Sequence, residues 1–515
     1  MYLVTAEQMR KLEARAMSDS GLPSLVLMEN AARAVAEAVI RMDLEDRSMK
    51  RWLVLAGKGN NGGDGIAAAR QLTEAGYNCE IILATPPEQL GPDAALQLKA
   101  ARCFGITVHV FAPGSTPWHR YDGIIDALLG TGTSGAPREP YASVIREANG
   151  SGLPIVAVDI PSGLDADTGK VYEPTIRAAQ TVTFAFSKLG LVQYPGKDVA
   201  GIVTTAPICI PEHLAQEEGV RTYLLDERTI RRRLKLDPAQ SRQADTHKGT
   251  YGHLLVVAGT LTMSGAGLLC ASAALRAGCG LVTWALPSAL ASQVIGCVPE
   301  LMLSPVSGSE NGGWAEDSAE ELVRLFINRD TLAVGPGLGR FPNDSAWLRR
   351  IWELSSEAKL PLVLDADALN MLADAPDFAG WPRRPDEAPA ILTPHPGEMA
   401  RLTGLTTVQI QQDRLGIARE YAAKHGVYVV LKGAASIVAC PDGTAYVNTT
   451  GNPGMATGGS GDVLTGIIGS LLAQGWSVEQ AAAFGTWKHG LAGDLAAQKR
   501  GNMASVIASD IIEQL

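Results

Sequence analysis

Seven of the nineteen residues from Gly451 to Gly469 are glycine, and an apolar run from Val463 to Ala473 follows directly on the Gly-Gly-Ser-Gly-Asp462 turn. A glycine turn feeding a helix leaves backbone N–H groups unpaired and aimed at one point, with the positive end of the helix dipole behind them. Such an end takes an anion, above all a phosphate. Asp462 stands where the helix should begin. A carboxylate there does not help to bind a second negative charge. It makes sense as a base that draws a proton from a hydroxyl about to be phosphorylated. The competing reading is a plain N-cap on a glycine-rich turn.

At 515 residues the chain is too long for one core, and two domains are the natural division. Its 46% hydrophobic and 19% charged residues suit two buried sheets. A net charge of −10 argues against nucleic acid or an anionic membrane as partner, so an anionic substrate must be captured by local geometry. The seven cysteines contain no CxxC pair and read as buried thiols of a reducing compartment. The N-terminus has no basic segment followed by an apolar one, and no apolar run reaches membrane-spanning length. The expectation is a soluble, cytoplasmic homo-oligomer.

In the first half, Thr5-x-x-Gln8 predicts a capping box opening a helix to about Ser18, with a second helix over about 25–41. Arg51 to Gly57 is a strand, Gly57 to Gly65 a tight polar loop, Ile66 to Ala75 a helix and Cys79 to Ala84 a strand. Further strands are expected over 123–126, 154–159 and 181–186. This is the rhythm of a parallel, doubly wound sheet. The loop contains G-x-G-x-x-G at Gly57, Gly59 and Gly62, the context of dinucleotide binding. Glu80, however, lies near the start of its strand, not at the end where a ribose-binding acid belongs, and Asn60, Asn61 and Asp64 are more polar than a pyrophosphate turn requires. A glycine turn chosen only for packing is the alternative. Asp126 and Asp159 end two other strands and are followed by the turns Gly130-Thr-Gly-Thr-Ser-Gly135 and Ile160-Pro-Ser162-Gly163. Three polar loops after three strands of one sheet converge on one pocket.

Between Pro211 and Lys248 charge is dense and apolar periodicity weak, with four arginines and a lysine over 228–235. The boundary is placed here, near 220–240, giving domains 1–222 and 223–515. The second half restarts with a strand over 254–259 and an alanine-rich helix from Ser264. Strands then end in Gly335-Pro-Gly337-Leu-Gly339, in Asp365-Ala-Asp367, in Thr393-Pro-His395-Pro-Gly-Glu398 and in Lys432-Gly-Ala-Ala-Ser436, before a hairpin turning at Pro441-Asp-Gly443. There is no Walker motif.

Met28-Glu-Asn-Ala-Ala32, Gly59-Asn-Asn-Gly-Gly-Asp64-Gly65, Asp126-Ala-Leu-Leu-Gly-Thr-Gly132 and Asp159-Ile-Pro-Ser-Gly163 resemble the NAD(P)H-hydrate epimerase domain, which is Rossmann-like. The resemblance implies a substrate pocket from Asn60, Asn61, Gly62, Gly63 and Asp64, from Gly130, Thr131, Gly132, Thr133, Ser134, Gly135 and Ala136, and from Asp159. It also implies a potassium ion on Asn61, Asp126 and Ser162, a donor set that suits a hard cation. Asp159 is then the acid/base for exchange of configuration at C6. The second half is similar to the ribokinase-like superfamily, and within it to ADP- or ATP-dependent NAD(P)H-hydrate dehydratase. That likeness places adenine nucleotide against Lys432, Gly433, Ala434, Ala435, Ser436 and Gly461. It places the hydrated cofactor against Ala266, Gly337, His395 and Asp462, with Glu398 supporting Mg2+ through water. Taken singly, His395 could be a turn-stabilising histidine and Lys432 a surface lysine. The expected fold is α/β throughout, a Rossmann-like doubly wound domain followed by a ribokinase-like one. The expected activity is nicotinamide-cofactor repair. The rival is a hydroxymethylpyrimidine- or hydroxyethylthiazole-type kinase, and the first domain could instead be a binding or oligomerisation module.

Overall fold

The Thr5 hydroxyl accepts from the Gln8 N–H at 3.1 Å and the Gln8 side chain accepts from the Thr5 N–H at 3.0 Å, so the capping box opens a helix over Ala6–Ser20. It is the first helix of the computed structural model of the chain, which describes residues 1–46, 50–375 and 378–515. Two compact units divide the chain, Met1–Thr222 and Tyr223–Leu515.

In the first unit seven strands pair in parallel in the order Thr107–Val110, Asn78–Leu83, Arg51–Ala56, Gly123–Ala127, Ile155–Val158, Gln180–Phe184, Ile202–Ala206. The central strand shows why its sequence is a continuous apolar run. Trp52, Val54 and Ala56 pack with the helices Ser24–Asp46 and Asn60–Glu74 on one face, while Leu53 and Leu55 pack with the helix Tyr141–Gly150 on the other. Both faces are covered, as a parallel sheet requires. The two edge strands escape the sequence reading because they are partly exposed and short.

One boundary differs from expectation. Residues 60–65 are not loop but the opening turns of the helix Asn60–Glu74. Helix propensity disfavours three glycines there, but close packing demands them. A Cβ at Gly62 would lie 2.0 Å from the Gly57 carbonyl oxygen, and one at Gly65 would lie 2.3 Å from the Ala127 Cβ.

In the second unit ten strands form one sheet, ordered Thr222–Leu225, Ala445–Asn448, Ile437–Ala439, Tyr428–Leu431, Ala390–Leu392, Leu362–Leu364, Thr331–Val334, His253–Val257, Leu281–Pro287, Met302–Val306. The six pairings from Tyr428–Leu431 to Met302–Val306 are parallel, and the expected hairpin is antiparallel with Val438 opposite Tyr446. Helix Ser460–Ala473 is almost wholly buried and shares a core with helix Ser264–Arg276 and with Leu254 and Val256 of the sheet. The charged segment after Thr222 is part of this unit, since Leu225, Ile230 and Leu234 are buried in the same core.

The cysteines correct the expectation in part. Cys79, Cys270, Cys279 and Cys440 are buried, but Cys103, Cys209 and Cys297 are exposed, and all seven are free. No described helix is long and apolar enough to cross a membrane.

Candidate active sites

Strand order decides where the first unit's polar loops go. Arg51–Ala56, Gly123–Ala127 and Ile155–Val158 are consecutive in the sheet, with Ala56 in register with Ala127 and Asp126 with Ala157. Their carboxyl ends therefore open on one edge. There Asp126 is wholly buried and accepts from the Ser162 N–H at 2.8 Å, the Ser162 hydroxyl at 2.7 Å and the Leu128 N–H at 3.2 Å. The Asn61 amide donates to the Leu129 carbonyl at 3.2 Å, and the Leu129 N–H donates to the Ser162 hydroxyl at 2.9 Å. Asn61, Asp126 and Ser162 thus meet around the Leu129 peptide. Burial pushes the Asp126 carboxyl up to about 6 in spite of the Ser162 and Leu128 hydrogen bonds. Its partners are all neutral, and the Ser162 hydroxyl and Leu129 carbonyl set oxygen atoms beside it. A monovalent hard cation fits this set.

Asp159 occupies a left-handed backbone position, φ +65°, which only a few per cent of non-glycine residues adopt. Its Oδ1 accepts from the Lys188 ammonium, from the Thr183 hydroxyl at 3.1 Å and from the Phe184 N–H at 3.2 Å. Asp64 and Glu13 lie near enough to feel the charge of Asp159. Burial, then the charge of Asp159, holds each above the usual carboxylate range, Asp64 well above it. Among the remaining expected pocket residues, Gly130 abuts Asn61, since a Cβ there would meet the Asn61 Cβ at 3.2 Å. Asn60 and the turn Gly132–Ala136 are exposed, with Thr133 bonded back to the Gly130 carbonyl. Glu80 accepts from the Tyr121 hydroxyl at 3.0 Å, mid-strand and away from the loops.

In the second unit Gly459, at φ +88°, is the N-cap of the helix Ser460–Ala473, so Asp462 lies in the first turn and is not the cap. The amides of that turn point along the helix axis toward the carboxyl edge of the sheet. The ends of Thr331–Val334, Leu362–Leu364, Ala390–Leu392 and Tyr428–Leu431, consecutive neighbours, open on that edge. Lys432 donates to Asp365 Oδ1 at 2.6 Å, and its Nζ is 4.0 Å from Glu398 Oε2. Thr465, one helical turn on from Asp462, donates to Asp365 Oδ2 at 2.7 Å. A Cβ at Gly461 would lie 3.2 Å from the Lys432 Nζ, which brings the glycine turn against this pair.

The charges here are unequal. Asp462 is pushed up to about 7, first by burial and then by Asp365, with Lys432 opposing. Glu398 is likewise pushed up to about 7 by burial against the pull of Lys432. Burial alone would depress Lys432, but Asp365 and Glu398 outweigh it and keep the ammonium charged. Asp365, Glu398 and Asp462 set their charges against the single Lys432, and such carboxyls beside phosphates suit Mg2+ held through water.

His395 does stabilise its turn: Nδ1 accepts from the Gly397 and Glu398 N–H groups at 3.0 and 3.3 Å, and Glu398 accepts from the His395 N–H at 2.7 Å. A neutral His395 therefore carries its proton on Nε2, on a side chain that is half exposed. Ala266 and Gly337 adjoin, a Cβ at Gly337 falling 2.9 Å from that of Ala266. Gly433 needs its positive φ and lies against the Arg414 guanidinium. Ser436 Oγ closes the Gly433–Ser436 turn by donating to the Gly433 carbonyl at 2.9 Å, with Ala434 and Ala435 at its tip.

Sequence reading missed Lys188, Glu13 and the pairing of Asp365 with Lys432. Lys188 had a signal: it is a lone charge inside the apolar run Thr181-Val-Thr-Phe-Ala-Phe-Ser-Lys-Leu-Gly-Leu-Val192, and such a charge is buried only when paired.

Residues 254–515 match the family model described as NAD(P)H-hydrate dehydratase, and residues 24–190 match that of the YjeF-related protein N-terminus. The chain is 42% identical to the bifunctional NAD(P)H-hydrate repair enzyme Nnr of Moorella thermoacetica, over 100% of this chain and 96% of that protein. It is 37% identical to the enzyme of the same name from Thermofilum pendens, over 97% of this chain and 93% of that one. Among solved structures, the ADP/ATP-dependent NAD(P)H-hydrate dehydratase of Bacillus subtilis, co-crystallised with ATP and Mg2+, is 29% identical. That likeness spans 57% of this chain and 95% of the other, with a TM-score of 0.47.

Proposed function

Given that the chain belongs to the bifunctional NAD(P)H-hydrate repair enzymes, we propose that Asp159 and Asp462 carry its two reactions. The enzyme epimerises R- to S-NAD(P)H-hydrate and dehydrates the S form to NAD(P)H at the expense of an adenine nucleotide. Epimerisation is assigned to residues 1–222 and dehydration to 223–515.

Asp462 takes the proton of the C6 hydroxyl, and the oxygen attacks the terminal phosphorus of ADP or ATP. The amides of residues 458–462 stabilise the charge that develops on the transferred phosphoryl group. Hydroxide is a poor leaving group and phosphate a good one. The ring nitrogen's lone pair therefore expels phosphate, and loss of the C5 proton to water restores the dihydropyridine. Lys432, with Gly433, Ala434, Ala435, Ser436 and Gly461, holds the nucleotide, while Ala266, Gly337 and His395 hold the hydrated ring. Glu398 would support Mg2+ through water, and the ion would neutralise phosphate charge. Potassium would be held by Asn61, Asp126 and Ser162, with the substrate of the first unit against Asn60 to Asp64 and Gly130 to Ala136. A cytoplasmic homo-oligomer remains our reading of the assembly and its place.

The observation that carries this reading is Asp462, raised to about 7 in the first turn of a glycine-started helix, beside Lys432 and Asp365. A base poised near neutrality there has a phosphate site at its side. The test is recovery of NADH absorbance from mixed R- and S-NADH-hydrate with Mg2+, K+ and either nucleotide. Wild type should recover the whole signal, Asp159→Ala only the S share promptly, and Asp462→Asn none. A stable phosphorylated pyrimidine or thiazole formed instead would overturn it.

A further inference from the structure

The cluster around Asp159 contains a group that the proposed roles leave unused. Lys188 is 1% exposed, follows the strand Gln180–Phe184 and sits in the short parallel pair of Leu3–Val4 with Ser187–Lys188. A buried ammonium is costly unless paired and hydrogen-bonded. Lys188 has a full set of partners: Asp159 Oδ1, the Thr183 hydroxyl at 3.1 Å and the Phe184 carbonyl at 3.2 Å. Asp159, by contrast, is satisfied on one side only. Lys188, Thr183 and the Phe184 N–H all donate to Oδ1, and no described residue donates to Oδ2. The carboxylate keeps 13% of its surface exposed.

We propose that Lys188 is the positioning residue of the epimerase site, fixing Asp159 by Oδ1 so that Oδ2 is left to take and return the substrate proton. The proposal rests on the assignment of Asp159 as acid/base. The step it serves is balanced within substrate and protein. Oδ2 takes the C6 hydroxyl proton as the C6–N1 bond opens, and the electron pair remains on N1, in conjugation with the ring carboxamide. The C6 aldehyde turns over, N1 re-adds to its other face, and Oδ2 returns the proton to oxygen.

Three carboxyls and one lysine feel one another's charge here: Glu13 from the first helix, Asp64 from the helix Asn60–Glu74, Asp159 from the loop after Ile155–Val158, and Lys188. Lys188 bonds Asp159 and neither of the others. Glu13 and Asp64 are both raised by burial and by the charge of Asp159. The left-handed backbone of Asp159 fits its proposed role, since strained conformations persist where surrounding contacts hold them.

The test compares Lys188→Met, Lys188→Arg, Asp159→Asn and the Asp159→Asn/Lys188→Met pair in the full-length enzyme. R-hydrate epimerisation is followed across pH, with dehydration of pure S-hydrate measured in the same samples. Lys188→Met should lower the epimerase rate roughly a hundredfold. The limb on which the base ionises should move to higher pH, because Asp159 loses its cation but keeps Glu13 and Asp64 as neighbours. Arginine should restore the position of that limb, and dehydration should not change. Should Lys188→Met fail to fold, the double variant, which removes both charges, decides by itself. A rate equal to that of Asp159→Asn alone supports positioning, and a further hundredfold loss overturns it. A wild-type rate in Lys188→Met, or a loss with the limb unmoved, also overturns it. A wild-type rate in Asp159→Asn would instead overturn the assignment of Asp159 on which the proposal rests.

Discussion

Lys432 donates to Asp365 at 2.6 Å across 67 residues of sequence, and this pair joins the strand that ends before the Gly433–Ser436 turn to the strand that ends in Asp-Ala-Asp. Asp365 is 1% exposed and spends its other oxygen on Thr465, so the helix that carries Asp462 is tied to the same carboxylate.

Removing the lysine should therefore cost stability as well as activity. Lys432→Met leaves Asp365 buried with no cation, a change that costs about 3 kcal/mol. Urea unfolding should show that loss, and Lys432→Met/Asp365→Asn should recover most of it without recovering dehydration. An unchanged midpoint in Lys432→Met would contradict the pairing.

Dehydration should depend on pH through Asp462. Burial raises this carboxyl to about 7, so it is protonated and inactive as a base below that value and ionised above it. With S-hydrate and Mg-nucleotide, kcat/KM should climb through about pH 7 and level off on the alkaline side. Glu398 titrates in the same range, so the limb belongs to the coupled group. Asp462→Asn should lower kcat by about a thousandfold or more at every pH, while R-hydrate epimerisation continues.

Gly57 and Gly62 of the first unit should not tolerate alanine. A Cβ at Gly57 would lie 1.8 Å from the Leu128 carbonyl oxygen, and one at Gly62 would lie 2.0 Å from that of Gly57. Gly62→Ala should destabilise the first unit by about 3 kcal/mol or more and abolish epimerisation. Gly59→Ala, with nothing within 4 Å, is the control and should fold normally.

Potassium should stabilise the first unit in proportion to its occupancy. At about a hundred times its Kd it should add about 2.7 kcal/mol to the unfolding free energy. Choline in its place should add nothing, and Ser162→Ala should remove the difference. Equal melting in both salts would count against the Asn61, Asp126 and Ser162 assignment.

Much of this architecture was legible in the order of residues, because the signals are local. The Thr5–Gln8 cap, the apolar strand Arg51–Ala56 and the hairpin around Asp442 each depend on neighbours a few residues away. So does the helix after Gly459, whose buried face is continuous. Glu80 could be set aside as a ribose ligand from its place in the strand alone. The helix start at Asn60 was not legible, since three glycines read as a loop until the Gly57 carbonyl and Ala127 are seen to occupy the space a side chain would need. The exposed Cys103, Cys209 and Cys297 were misjudged for a related reason: a thiol's burial depends on what covers it.

Residue order alone specifies the kind of element at most positions, the polar turns after the strands and the family whose motifs they carry. Which charges face one another is settled by packing between distant segments. Asp365 meets Lys432 across the intervening strand Ala390–Leu392, and Asp159 meets Lys188 of the separate pair Leu3–Val4 with Ser187–Lys188. A buried charge is stable only with its partner in place, and that partner is chosen by how distant segments pack together, which local periodicity does not encode.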